Sequence, residues 1–191
     1  MAQKIQLDDE SFLLKTEYDM PELFDRLLEF KPKEKRKIKI WGKLIDMPRF
    51  QKTFGMPYAF SGVMHKADPI PDCLLPLFDF ANNQFCQGFS GKFNSCLVNY
   101  YEKGDHYISA HSDDESSLVP LSPIFSLSLG QERIFRMRDK KTRAIVADVP
   151  TKNNTVLVMC GHTQSRFTHE VPKTAKKVGE RISITLRMMK E

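Results

Sequence analysis

The chain has 191 residues, 41% hydrophobic and 28% charged, a composition that fits one ordinary globular domain and excludes a disordered chain, a collagen and a coiled coil. Lysine and arginine outnumber aspartate and glutamate 29 to 24, a net charge of +5 that suits a polyanionic partner without requiring one. There is no apolar run of about 18 residues, and the opening MAQKIQLDDE carries acids where a secretion signal needs an apolar stretch, so an intracellular protein with no membrane span is expected.

The first predicted element is a helix near residues 20–30. Met20, Leu23, Phe24, Leu27 and Leu28 form one apolar stripe, with Asp19 as cap, Glu22 as its capping-box partner and Pro21 in the first turn. Seven of the thirteen residues 31–43 are Lys or Arg against one Glu, and RKIKIWGKLIDMPR reads as a short hairpin turning near Trp41-Gly42. A second helix is expected from about Asp72 to Gln84, with Leu74, Leu77, Phe78 and Ala81 on one face. From Phe93 onward the pattern changes to strands: 93–101, 105–113, 124–130, 132–138, 144–149, 154–160 and 180–189. Phe125, Leu127 and Leu129 face one way, Ser126 and Ser128 the other. Many short strands with turns between them predict a β-sandwich or barrel, buttressed from outside by the helices. Cys73, Cys86, Cys96 and Cys160 show no Cys-x-x-Cys spacing and read as reduced thiols.

The chemistry-bearing segment is Asp105–Asp113. His111 and Asp113 are two apart, so on a strand they share a face with Cα atoms about 6.6 Å apart. A His-x-Asp pair plus a distant His makes the facial triad of non-heme Fe(II) sites. Alone the pair is weak, since a salt-bridged surface histidine explains most examples. Spacing leaves the third ligand open among His65, His106, His162 and His169, favouring His169 over His162. In the last strand Ile182, Ile184 and Leu186 share one face, and Arg181, Ser183, Thr185 and Arg187 the other. That polar face is either a solvated surface or a pocket lining. In a pocket, guanidinium groups starting about 20 Å apart can grip a small dicarboxylate between them.

These motifs, in this order, resemble the AlkB family of Fe(II)- and 2-oxoglutarate-dependent dioxygenases, which oxidatively dealkylate nucleic-acid bases. The resemblance covers roughly residues 38–189 and rests on NYYEKGDHYISAHSDDE, SPIFSLSLGQERIFRMR, FTHEVPKTAKKVGERISITLR with its Arg-x5-Arg, and YAFSG. It is strongest to the eukaryotic duplex-DNA repair branch, which IWGKLIDMPR and HSDDE resemble. It implies a mostly β fold with flanking helices, a double-stranded β-helix (jelly roll), in a single domain 1–191. Within it, 1–35 is a helical segment, 36–92 a nucleotide-recognition hairpin and helix, and 93–191 the jelly-roll core. Iron would sit on His111, Asp113 and His169. Asn99, Tyr101, Arg181, Ser183 and Arg187 would hold 2-oxoglutarate, with Arg181 on the distal carboxylate and Arg187 near the chelating end. Ser183 departs from the asparagine the family often has there.

The resemblance also implies that Phe60 and the ring of His111 sandwich a flipped base, with Tyr58 nearby. Asp114 and Glu115 would favour cationic bases such as 1-methyladenine or 3-methylcytosine, although an acidic turn facing solvent explains them as well. Trp41 reads as a wedge into the base stack or as a hairpin anchor. Lys35, Arg36, Lys37, Lys39, Lys43, Lys173, Lys176 and Lys177 would meet phosphates. The expected partner is alkylated DNA, with RNA as the alternative, acted on by a monomer in the nucleus or cytoplasm. A non-catalytic nucleic-acid binding module, or an oxygenase acting on protein, is the reading from another class.

Overall fold

The computed structural model describes residues 2–40, 43–60 and 63–190. The chain opens with a hairpin of β1 (Gln3–Asp8) and β2 (Ser11–Glu17), followed by helix α1 (Leu23–Leu28). A ribbon of β3 (Lys37–Ile40) and β4 (Lys43–Asp46), strand β5 (Phe50–Gly55), and a second ribbon of β6 (Tyr58–Phe60) and β7 (Val63–His65) come next. A 3-10 turn (Asp72–Leu74) leads into α2 (Leu75–Phe85). Then follow β8 (Ser95–Tyr101), β9 (Ile108–His111), β10 (Ile124–Gly130), β11 (Arg133–Asp139), β12 (Ile145–Thr151), β13 (Thr155–Gly161), short α3 (Thr163–Arg166), β14 (Phe167–Val171) and β15 (Arg181–Arg187).

The strands form a seven-stranded sheet, β1-β2-β13-β10-β15-β8-β5, and a four-stranded one, β12-β11-β14-β9. From β8 onward the chain alternates between the two sheets, interrupted only by the β11–β12 hairpin. That winding is the jelly roll that the resemblance implies, and it narrows the sandwich or barrel expected from the strand pattern.

Both faces of the large sheet are buried. On one face Leu23, Leu27, Leu74, Leu77, Phe78 and Ala81 of the helical elements pack on Val98, Phe125, Leu127, Ile182, Ile184 and Leu186. Between the sheets lies a smaller core that includes Leu13, Leu97, Phe135, Met137, Leu157, Met159 and Phe167. Pleating sends alternate residues to opposite faces, so the polar residues between the apolar ones point at the small sheet. Cross-strand register then lines up a buried polar row, Gln51–Asn99–Ser183–Ser128–Thr155.

Several expectations are corrected. Residues 1–35 are not simply helical: β2 pairs with β13 over Thr155↔Glu17 to Gly161↔Ser11 and extends the main sheet. β5 adds the opposite edge by pairing with β8. The first helix is shorter than predicted and has no side-chain cap: Glu22 is its N-cap at φ 68°, while Asp19 accepts a hydrogen bond from the Asn154 amide at 2.6 Å. Pro76 falls in the first turn of α2, where its missing N–H costs little. The β3–β4 ribbon closes through Ile40↔Lys43, and its tip, Trp41-Gly42, lies outside the described residues. All four cysteines are unpaired. Among the described residues no helix is long and apolar enough to cross a membrane.

Gly161 seals the junction between β13 and the N-terminal hairpin. Its φ is +67°, and a Cβ there would collide with the Glu10 carbonyl. Gly161→Ala is expected to cost about 1–3 kcal/mol of stability, read as a lower urea midpoint at unchanged m-value.

Candidate metal and cosubstrate site

β9 and β14 are antiparallel neighbours, and their register sets His111 opposite His169. Asp113 lies two residues beyond the end of β9. Its backbone N–H donates to Gln164 Oε1 at 2.8 Å, and the Ser112 hydroxyl donates to the Phe167 carbonyl at 3.0 Å. One potential ligand atom from each of His111, Asp113 and His169 lies within 4.8 Å of the others. The His111 and His169 ring centroids are 4.2 Å apart, and Phe135 stacks on His169 at 5.3 Å. His111 Nδ1 lies 2.8 Å from the Ser109 carbonyl, so that nitrogen carries the proton and Nε2 faces Asp113 Oδ1 at 4.0 Å with its lone pair.

The electrostatics favour a cation. Burial raises the proton affinity of Asp113, but the Arg187 guanidinium (Nη2 to Oδ1, 2.9 Å), with His169 and His111, outweighs it and holds the carboxyl well below the usual carboxylate range. Burial pushes His169 down to about 3, reinforced by His111, and lowers His111 as well. Near neutral pH the trio is thus one carboxylate and two neutral imidazoles, the protonation state a metal requires. Asp113 Oδ2 and His169 Nδ1 are buried without a hydrogen-bond partner, so the residues present fit a divalent ion.

The cavity containing the trio is also lined by Arg49, Gln51, Asn99, Tyr101, Ser126, Ser183, Thr185 and Arg187. Ser183, Thr185 and Arg187 of the polar face of β15 therefore line a pocket, and Arg181 on the same face is buried, so the face is not a solvated surface. Arg181 is 1% exposed and pairs across strands with Tyr101, whose ring centroid lies 5.0 Å from the guanidinium carbon. Its Nη2 donates to Ser128 Oγ at 2.8 Å, while Nε and Nη1 have no partner. A buried guanidinium with idle donors fits an anionic ligand, as 2-oxoglutarate would be. Arg187 differs from the expected second fork, because part of its guanidinium is committed to Asp113.

The remaining predicted residues are not all brought to this cavity. Asp114 is exposed and ion-paired to Lys140 at 3.1 Å; with Glu115 it lines a second cavity, together with Leu118, His162 and Gln164. Tyr58 and Phe60 lie on β6, with side chains outside the described residues, as is all of Trp41. His106 is buried away from the trio, with Lys35 Nζ 2.9 Å from its Nε2. Lys173, Lys176 and Lys177 are exposed just beyond β14. Sequence reasoning missed Arg49, Gln51 and Gln164. The first two were legible as a pair spaced to share one strand face, had β5 been recognised; Gln164, on a one-turn helix, carries no such signal.

The family model described as "2OG-Fe(II) oxygenase superfamily" matches residues 47–187. The chain is 32% identical over 162 residues to "DNA oxidative demethylase ALKBH2" of Homo sapiens, covering 79% of this chain and 60% of that protein. It is 30% identical over 161 residues to the Mus musculus protein of the same name, covering 79% and 66%. It is 33% identical over 151 residues to "Alpha-ketoglutarate-dependent dioxygenase alkB homolog 3" of Bos taurus, covering 74% and 52%. The chain thus spans between half and two thirds of the length of these relatives. A solved structure titled "The structure of OsALKBH1" superimposes with a TM-score of 0.64 at 16% identity, covering 97% of this chain and 99% of that one, a likeness of fold.

The depressed histidines set an acid limit on the metal-free protein. The folded value for His169 is about 3 and an unfolded histidine titrates near 6.5, so between these the unfolded chain binds a proton the folded chain refuses. Stability should therefore fall as pH drops below about 6.5, by roughly 1 kcal/mol per pH unit for this group. Urea midpoints in chelator at pH 7 and pH 5 check this, with His169→Gln expected to show the shallower decline.

Proposed function

The chain belongs to the 2OG-Fe(II) oxygenase superfamily and, within it, to the AlkB family, and from that membership we propose that it oxidatively demethylates N-alkylated bases of DNA. The observation that carries the reading is one cavity placing a cation-ready His111–Asp113–His169 trio beside strand β15, whose Arg181 is a buried guanidinium with idle donors. His111, Asp113 and His169 hold Fe(II); Asn99, Tyr101, Arg181, Ser183 and Arg187 hold 2-oxoglutarate. The bound iron and cosubstrate supply oxidation of the N-methyl carbon by O2, with release of succinate, CO2 and formaldehyde.

The chain's own residues do the positioning. Arg187 keeps Asp113 ionised and aimed. The Ser109 carbonyl fixes the His111 tautomer, and Phe135 packs the His169 ring in place. A buried cavity excludes water from the reacting carbon. The target base must leave its stack to enter, and Tyr58, Phe60 and the His111 ring supply the stacking surfaces, with Trp41 as the wedge. Asp114 and Glu115 select a cationic base. The Asp114–Lys140 pair is exposed and weak enough to exchange for such a contact. Lys173, Lys176 and Lys177, all exposed, meet phosphates. Residues 1–35, 36–92 and 93–191 act as one domain, since β2, β5 and β8 share a sheet. A DNA substrate implies work inside the cell, in nucleus or cytoplasm.

Purified protein with Fe(II), 2-oxoglutarate and O2 should release formaldehyde from oligonucleotides carrying 1-methyladenine or 3-methylcytosine. Single- and double-stranded DNA and RNA of one sequence are compared, and faster turnover on RNA would move the substrate class. Cosubstrate consumption with both lesions untouched would remove base demethylation. His111→Ala, Asp113→Ala and His169→Ala should each lower turnover by roughly 100-fold or more.

A further inference from the structure

Asn99 faces a choice that its own shape does not settle. The oxygen and nitrogen of a carboxamide are nearly isosteric, and a half-turn of the group exchanges an acceptor for a donor towards the cavity. We propose that Arg49 and Gln51 are positioning residues that lock the Asn99 carboxamide with its oxygen towards β5 and its NH2 group available to a carboxylate ligand. The inference rests on the reading of this cavity as a 2-oxoglutarate site.

Three observations carry it. Arg49 Nε donates to Asn99 Oδ1 at 2.7 Å, and Gln51 Nε2 donates to the same oxygen at 2.9 Å. All three side chains are 3–4% exposed, so water does not substitute for these bonds. Arg49 is held a second time by its Nη1 donation to the Tyr107 carbonyl at 3.3 Å. A guanidinium can only donate, so whatever faces Arg49 must be an acceptor. Gln51, paired with Asn99 across β5–β8, then has to present its own NH2 to the same oxygen.

The consequence reaches the ligand. With Oδ1 occupied twice, Asn99 meets an anion through N–H, whereas the flipped group would present oxygen to oxygen. The next residue along the polar row is Ser183, whose hydroxyl lies 3.4 Å from the Ser126 hydroxyl. A serine there is shorter than the asparagine of the family pattern, so Asn99 is the carboxamide donor at this level of the sheet.

The test measures 2-oxoglutarate binding to Mn(II)-loaded protein by calorimetry, together with Mn(II) affinity and thermal unfolding. Arg49→Gln introduces a group that accepts as well as donates and should weaken 2-oxoglutarate about 10-fold without lowering Mn(II) affinity. Arg49→Lys, donor only, should recover most of that loss. Asn99→Asp offers acceptors to Arg49 and Gln51 but no donor to the ligand. It should unfold no earlier than the wild type yet bind 2-oxoglutarate at least about 10-fold more weakly. In an Asn99→Ala background, Arg49→Gln should add no further loss, as expected of residues acting through one another. Additive losses, a parallel fall in Mn(II) affinity, or undiminished binding by Arg49→Gln while Arg181→Gln is impaired would each overturn the positioning role. A wild-type protein that binds no 2-oxoglutarate, or an Arg181→Gln variant that binds it as well as wild type, overturns the parent reading and this one with it.

Discussion

The site depends on one buried ion pair, Arg187 with Asp113. Both side chains are nearly inaccessible, and a carboxylate taken alone into such a place would take up a proton rather than stay charged. A protonated Asp113 could not ligate a metal, and its second oxygen would become a donor facing the two imidazoles. The guanidinium prevents this and fixes the carboxylate rotamer through the same bond. The arrangement is also costly, since a buried pair seldom does better than apolar residues of equal volume. Its retention in the middle of the fold makes sense as a device for holding a ligand, not as a source of stability.

The same accounting extends to the whole interior. Among the described residues, the buried charged side chains other than histidine are four arginines and one aspartate. Arg133 directs its guanidinium at the backbone carbonyls of Lys103, Gly104, His106 and Pro172, a structural clamp on the loops beside β11. Arg187 serves Asp113, and Arg49 serves Asn99 and Tyr107. Arg181 is met by the Ser128 hydroxyl and by Tyr101, neither of them charged. The interior is left with surplus positive charge on Arg181, which lies against Tyr101 of the cavity lining. A dianionic cosubstrate would compensate that surplus, and a divalent ion would compensate Asp113 Oδ2.

Much of this was legible in the sequence because period-two alternation survives in strands that carry the site. β8, β10 and β15 appeared within a few residues of their true bounds, and His111 with Asp113 stood out by spacing. The choice of His169 needed the resemblance, since only the β9–β14 register sets it opposite His111. What stayed hidden has physical causes. β1 and β5 are the edges of the large sheet, and β2, next to β1, runs Phe12-Leu13-Leu14 without clean alternation; apolar pattern is weakest in such strands. The predicted Asp19 cap failed because Asn154, 135 residues away in sequence, claims that carboxylate. Asp114, next to a trio residue but outside β9, directs its carboxylate to Lys140, a long-range partner that local spacing does not reveal.

Alternation in β15 also carries a meaning that differs from the usual one. In a half-exposed strand, polar residues at every second position mark solvent. Here Ile182, Ile184 and Leu186 lie under the helices, while Arg181, Ser183 and Arg187 are equally buried on the other side. The apolar face supplies the transfer free energy that keeps the strand central in the sheet. The polar face can then be given over to groups that water would otherwise solvate, and these are stable in place only with mutual hydrogen bonds or a ligand. The hydrogen bonds account for Ser183 with Ser126 and for Arg187 with Asp113. They leave Arg181 with Nε and Nη1 unmatched, and such unmatched buried donors are why this largely buried alternating strand reads as a binding site instead of as core.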